Sequence, residues 1–213
     1  MPDSNGLDRT SEAALALASD THEALERRTR EVVRELLGVL LPEEFKDSHP
    51  HLGDTPRRVT DWLLQYAHPE TDLSKVMRVF EEEHTGMILE KDIPFTSLCA
   101  HHLLPFQGKA AVAYVPNGRI AGISKLTRVT WFYANRVTLQ EQVTKSIVDG
   151  MFDLLRPLYV AAYLYDVTHG CMTVRGVKTL HVTTDTFDDR FQHEEQGSEY
   201  RPLFWNMLNA GRR

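Results

Sequence analysis

The sequence predicts an α+β protein in which an antiparallel sheet is backed by paired helices, with a helical extension ahead of it. Three observations predict it. Helix-period segments come first, then β-compatible runs, then two helices, then a second β-rich stretch and a tail, a segregated order that argues against an alternating parallel fold. Pro116-Asn117-Gly118 lies between two such runs in "GKAAVAYVPNGRIAGI" and marks a hairpin turn. The 213 residues, 42% hydrophobic and 25% charged, suffice for one sizeable core with an appended helical segment.

Each element has a local reason. Residues 1–19 read as a loosely ordered leader, and 20–84 as a helical region. Asp20 with Glu23 forms a capping box that opens a helix, Leu25, Val32, Val33, Leu36, Leu37 and Leu40 share its face, and Pro42 closes it. In "DTPRRVTDWLLQY" Asp54 or Thr55 caps a second helix with Pro56 at its first position and Val59, Trp62, Leu63 and Tyr66 as its stripe. A shorter third helix is expected over 71–83. Residues 85–187 form the sheet domain: strands in "GMILEKDIPFTSL" and around the turn at 116–118, helices from Ser124 to Arg136 and from Thr138 to Leu155, and paired strands again in "LYVAAYLYDVTHGCMTVRGVKTLHVTTDTF". The tail, 188–213, is polar and then carries Leu203, Phe204, Trp205, Met207 and Leu208, a cluster that should dock on the body.

Charge and composition remove several classes. A net charge of −6 excludes broad nucleic-acid binding, which needs a basic surface. No apolar run approaches the roughly 20 residues of a bilayer span, and the N-terminus has no basic n-region, so the cytoplasm is the expected location. A reducing cytosol argues against pairing the two cysteines as a disulfide.

Those two cysteines, Cys99 in "SLCAHHLLPF" and Cys171 in "THGCMTVRG", each stand beside histidine. Thiolate and imidazole are zinc donors, and three protein ligands leave a fourth position open for catalysis. Cys99 and His102 are three apart and can aim at one point, and Cys171 would complete a Cys-His-Cys set. If 163–175 is a strand, His169, Cys171 and Arg175 share a face, and His101 and His169 are imidazoles left to carry protons at neutral pH. Buried cysteine fillers and solvated histidines are the other reading of the same residues, and the sequence alone leaves it open.

In "GISKLTRVTWF" Ser124 is an N-cap candidate, with Lys125 and Arg128 on neighbouring positions of the first turn. Cations there oppose the helix dipole unless an anion faces them, and a helix N-terminus accepts phosphate; a capped helix with two solvated charges is the alternative. Arg58 and Arg175 are further cation candidates. Glu141 is either one more exposed helix acid or a carboxylate facing the N1–H and exocyclic amine of a purine.

Taken together, "DTPRRV", "KDIPFTSLCAHHLLPFQGKAAVAYVPNGRIAGISKLTR", "LQEQVT" and "HGCMTVRGV" resemble the GTP cyclohydrolase I family over well more than half of the chain. The resemblance implies the T-fold, assembled as a homo-oligomer, typically a decamer of two pentamers with sites at subunit interfaces. It implies zinc on Cys99, His102 and Cys171, proton transfer by His101 and His169, guanine held by Gln140 and Glu141, and triphosphate held by Ser124, Lys125, Arg128, Arg175 and Arg58. The implied reaction is hydrolysis of GTP at C8 with release of formate and rearrangement to 7,8-dihydroneopterin triphosphate, the first step toward pterins and folate or 7-deazapurines. Ala100 departs from the family, which commonly has Glu there, and the stretch after "RGV" is shorter and carries His181. Two rivals follow from the same scaffold: a related nitrile reductase using a cysteine nucleophile and NADPH without zinc, and a nucleotide-binding protein that has lost turnover.

Overall fold

A computed structural model describes residues 8–41, 51–177 and 181–211, the side chains of 8–20 and 196 excepted. The chain divides into two compact units after Gln65. The first holds helix α1 (Asp8–Leu40) and most of α2 (Thr55–Ala67). The helix expected from Asp20 thus begins twelve residues earlier, because "SEAALALAS" is rich in strong helix formers, and residues 8–19 are helix rather than leader. Residues 1–7 and Pro42 lie outside the described residues. Of the expected α1 stripe, Val33 is buried and Leu37 half-buried, whereas Leu25, Val32, Leu36 and Leu40 are exposed. Helix α2 starts at Thr55, so Asp54 is its cap, and the Asp54 carboxylate binds Arg57 and Arg58.

The second unit is built on a five-stranded sheet in the order β5-β2-β3-β6-β7. Its strands are β2 (Ile88–Cys99), β3 (Pro105–Val115), β5 (Val137–Thr138), β6 (Tyr159–His169) and β7 (Val182–Phe187). Every pairing is antiparallel except β2 with β5. Two departures from the expected strands have one cause. Both edges of β3 are taken, by β2 and β6, so the run after Gly118 cannot fold back on it. That run, β4 (Arg119–Ala121), instead pairs with β1 (Val79–Glu81) in a separate two-stranded sheet. The third helix expected over 71–83 does not form: residues 79–81 go to that pairing, and ahead of them only a 3-10 turn, Leu73–Lys75, is helical.

Helices α3 (Ser124–Ala134) and α4 (Gln140–Leu155) cover one face of the sheet. Ile93, Phe95, Ala110, Val112 and Tyr114 point into that layer with Leu126, Val129, Ile147 and Met151. The alternate residues Ala111, Ala113 and Val115 face the other side, as the two-residue period of a strand dictates. There the tail docks as α6 (Asp189–His193) and α7 (Glu195–Asn209). Phe204 and Leu208 are 0% and 1% exposed, each worth about 1.5–3 kcal/mol relative to exposure. The sheet is therefore helix-covered on both faces.

Irregularities cross the sheet in one band. The β2–β3 register shifts between Glu90 and Ile93, the β3–β6 register between Gln107 and Lys109, and the β6–β7 register between Leu164 and Val167. Asp92 and Asp166 take positive φ there, 58° and 52°. Gly108 is required at this crossing, since a Cβ would come within 2.9 Å of the Tyr165 carbonyl oxygen and the Val167 Cα. Such bulges bend and re-aim strands.

Candidate metal centre and nucleotide site

The hairpin joining β2 to β3 places the first sulfur. Cys99 ends β2, its N–H donating to the Leu104 carbonyl at 2.9 Å, and its own carbonyl accepts from His102 and Leu103. Leu103 takes φ 54° to close the turn, which leaves His101 and His102 exposed at its tip. The second sulfur arrives differently from the sequence expectation. Strand β6 ends at His169, and Gly170 opens a short helix, α5 (Gly170–Val174), so Cys171 lies in a helical turn rather than on a strand. A side chain at position 170 would come within 3.0 Å of the Pro105 carbonyl, so glycine allows the chain to turn there. Arg175 caps the far end of α5, exposed and off any strand face.

The two sulfurs meet. Cys99 and Cys171 are 4% and 6% exposed, both free thiols, with Sγ atoms 3.9 Å apart. A disulfide would need about 2.05 Å. Two thiolates each about 2.3 Å from one tetrahedral ion stand about 3.8 Å apart, so the pair has the spacing of two ligands of one metal. Burial, reinforced by the neighbouring Cys99 thiol, pushes the Cys171 thiol up; a divalent cation would reverse that sign. The donor set and its spacing fit a thiolate-binding ion.

Histidines surround the pair. Among the described residues the donor atoms of Cys99, His169 and Cys171 lie within 4.8 Å of one another. His101 Nδ1 is 3.7 Å from Cys99 Sγ. His102 stands outside the close group, exposed, its ring 6.2 Å from that of His101. His169 is fixed on two sides: its ring stacks on Phe106, centroids 4.8 Å apart and planes 9° from parallel, and its Nε2 is 2.7 Å from Gln140 Oε1. Burial pulls its imidazole below the ordinary value, opposed by the Glu141 carboxylate. Gln140, expected at the nucleotide, is 3% exposed and spends its amide on His169 and on Thr184 Oγ1, 3.2 Å from Nε2. Glu141 is exposed and lines a groove of about 970 Å³ with Lys145, Val148, Phe152 and Phe187. Phe106 and Thr184 had no signal in the sequence, since one acts across a strand pairing and the other across a strand-to-helix contact, neither of which local pattern encodes.

Of the expected phosphate residues, Ser124, Lys125 and Arg128 lie on α3 rather than beside the two sulfurs. Helix α3 runs beside β2: Thr127 bonds Glu90, Trp131 Nε1 donates to the Pro94 carbonyl, and Ser97 and Leu98 donate to the Arg136 carbonyl. Its first turn, with Ser124, Lys125 and Arg128, therefore lies toward the Glu90 end of β2, away from Cys99. The helix is capped by Ile123 without a side-chain bond, so Ser124 is its first residue and not its cap. Among the described residues neither Lys125 nor Arg128 makes an ion pair. Arg58 lies in the first unit, bonded to Asp54 at 3.2 Å and to the His51 carbonyl at 3.1 Å.

Fold and site together define an α+β protein with a two-thiol, histidine-rich cluster that could hold a metal ion at one end of its sheet. The family profile of GTP cyclohydrolase I matches residues 29–203, and the chain belongs to that family. A GTP cyclohydrolase 1 from Bacteroides thetaiotaomicron is 40% identical over 161 residues, 74% of this chain and 81% of its own length. One from Saccharomyces cerevisiae is 34% identical over 173 residues, 79% and 71% of the two chains. One from Carboxydothermus hydrogenoformans is 47% identical over 130 residues, 60% and 67%. A solved archaeosine synthase QueF-Like structure in the apo form aligns over 49% of this chain and 96% of its own at a TM-score of 0.40 and 15% identity. Among the described residues no helix is long and apolar enough to cross a membrane.

Proposed function

We propose that this chain is a zinc-dependent GTP cyclohydrolase I of the T-fold type, hydrolysing GTP to formate and 7,8-dihydroneopterin triphosphate at the head of pterin and folate or 7-deazapurine synthesis. The observation that carries the reading is the 3.9 Å separation of two buried sulfurs drawn from distant strands. In a cytoplasmic setting both stay reduced. Cys99, Cys171 and His102 would hold the ion, as the resemblance implies, with His169 as the other candidate for the third ligand. When bound, zinc supplies a Lewis acid that brings the pKa of a coordinated water toward about 7.

The chain's residues do the remainder. Glu141 faces the N1–H and amine of guanine, and Ser124, Lys125, Arg128, Arg175 and Arg58 hold the triphosphate, a remote binding energy that seats the base. His101 and His169 deliver and remove protons as water adds at C8, the imidazole ring opens, and a second hydration frees formate. The ribose carbons then rearrange and the freed amine recloses the ring, for a net consumption of one water. The cation turn lies toward the Glu90 end of β2 and the sulfur pair at its Cys99 end, an arrangement that suits a site shared between two copies of the chain. A second copy would supply the phosphate half at a subunit interface, in the homo-oligomer, a decamer of two pentamers, that the resemblance implies.

The test is a GTP assay and metal analysis on one sample. Formate, a pterin fluorescent after oxidation, and about one zinc per chain are expected, with no NADPH oxidation. Zinc bound without product would make the protein a silent nucleotide binder; NADPH oxidation without zinc would make it reductase-like. His102→Ala should lose the metal and His169→Ala retain it, and the reverse would transfer the third ligand to His169.

A further inference from the structure

We propose that Thr184 is a positioning residue for His169, acting through Gln140. The proposal rests on the reading of His169 as a proton carrier. Gln140 is buried at the start of α4, so its amide must find its partners inside the protein. It has one on each side: Nε2 is 3.2 Å from Thr184 Oγ1, and Oε1 is 2.7 Å from His169 Nε2. With one end of the amide engaged at Thr184, the other is held against the His169 ring. Stacking on Phe106 sets the plane of the ring; the bond to Gln140 sets its rotation within that plane. The edge strand β7 thereby reaches His169 at the end of β6 through one side chain of α4. Thr184 itself touches neither thiol nor imidazole.

Removing the hydroxyl leaves a buried amide N–H without a partner, a loss that Gln140 relieves by rotating away from His169. The same seam contains its own control. Thr186, two residues along β7, pairs its hydroxyl with Thr144 Oγ1 on α4 at 3.0 Å, an equivalent strand-to-helix bond with no imidazole behind it.

Full-length Thr184→Val, Thr184→Ser and Thr186→Val chains separate position from mere packing. Thr184→Val should lower kcat about tenfold with the KM for GTP nearly unchanged, since misplacing a proton carrier by a fraction of an ångström costs rate rather than binding. Thr184→Ser should restore most of it, and Thr186→Val should match the parent. Independently of turnover, carbethoxylation of His169 by diethyl pyrocarbonate, followed by peptide mass spectrometry, should be severalfold faster in Thr184→Val alone, because a ring released from Gln140 exposes a second nitrogen to the reagent. Equal losses of kcat in the two valine variants, or an unchanged rate of His169 modification, would overturn the assignment. A parent protein that makes no product from GTP would instead overturn the proposed function, and the modification rates would still decide the placement of His169.

Discussion

The two ends of β2 carry the two halves of the proposed site, and they are built in opposite ways. At the Cys99 end two buried sulfurs, a stacked imidazole and a buried amide are held by hydrogen bonds within a single chain. At the Glu90 end the first turn of α3 presents exposed Ser124 and Arg128 with half-buried Lys125, and the Glu90 carboxylate tethers it, accepting from Thr127 N–H at 3.1 Å and Thr127 Oγ1 at 2.6 Å. The difference has a physical basis. Thiols and imidazole must be desolvated and fixed before an ion can join them, which demands a folded core. Phosphate needs only donors and positive charge at a surface, and those can be contributed by a neighbour.

The widest effect should come from the sulfur end. Cys171→Ala removes one of two thiolates and should abolish both metal binding and product, with the circular dichroism spectrum retained because a small side chain replaces another in the same buried place. His101→Ala should keep the metal and lose about 10²–10⁴ in kcat, the usual range for a proton carrier. Metal lost from His101→Ala, or retained by Cys171→Ala, would break the division of roles between ligand and proton carrier.

The cation end should respond in binding instead. Arg128→Ala removes hydrogen bonds to a charged group, each worth about 1.5–3 kcal/mol, and should raise the KM for GTP tenfold to a hundredfold with kcat little altered. Mixing sharpens the comparison. Chains of Cys171→Ala co-expressed with chains of Arg128→Ala can form sites that join the intact sulfur half of one to the intact cation half of the other. At GTP well below the KM of Arg128→Ala, the mixture should exceed the sum of the two separate proteins. No gain on mixing would place both halves of the site within one chain.

The two sulfurs stood out in the sequence because their signals are local: each cysteine has a histidine two or three residues away. The antiparallel sheet and its two backing helices were legible for the same reason, from runs of β-compatible residues and helical stripes. What escaped depends on partners distant in the chain. The run after Gly118 looked like the return strand of a hairpin, and only the occupation of both edges of β3 sends it to β1. The strand expected through residue 175 stops at His169 because Gly170 packs against the Pro105 carbonyl. Thr184 stands in "VTTDTF", where nothing separates it from its neighbours until α4 lies alongside.

The smallest effect tests the tether itself. Glu90→Gln keeps the shape of the side chain and removes its charge from beside the first turn of α3. A carboxylate at a helix N-terminus is worth roughly 0.3–1 kcal/mol, so a loss of about that size in urea unfolding is expected. One negative charge fewer near Lys125 and Arg128 should leave the KM for GTP equal or slightly lower, since phosphate then competes with no fixed anion for the same turn. A rise in KM as large as that of Arg128→Ala would show that the placement of the helix, rather than the charge it carries, limits phosphate binding. The cation end would then depend on its fold as strictly as the sulfur end does.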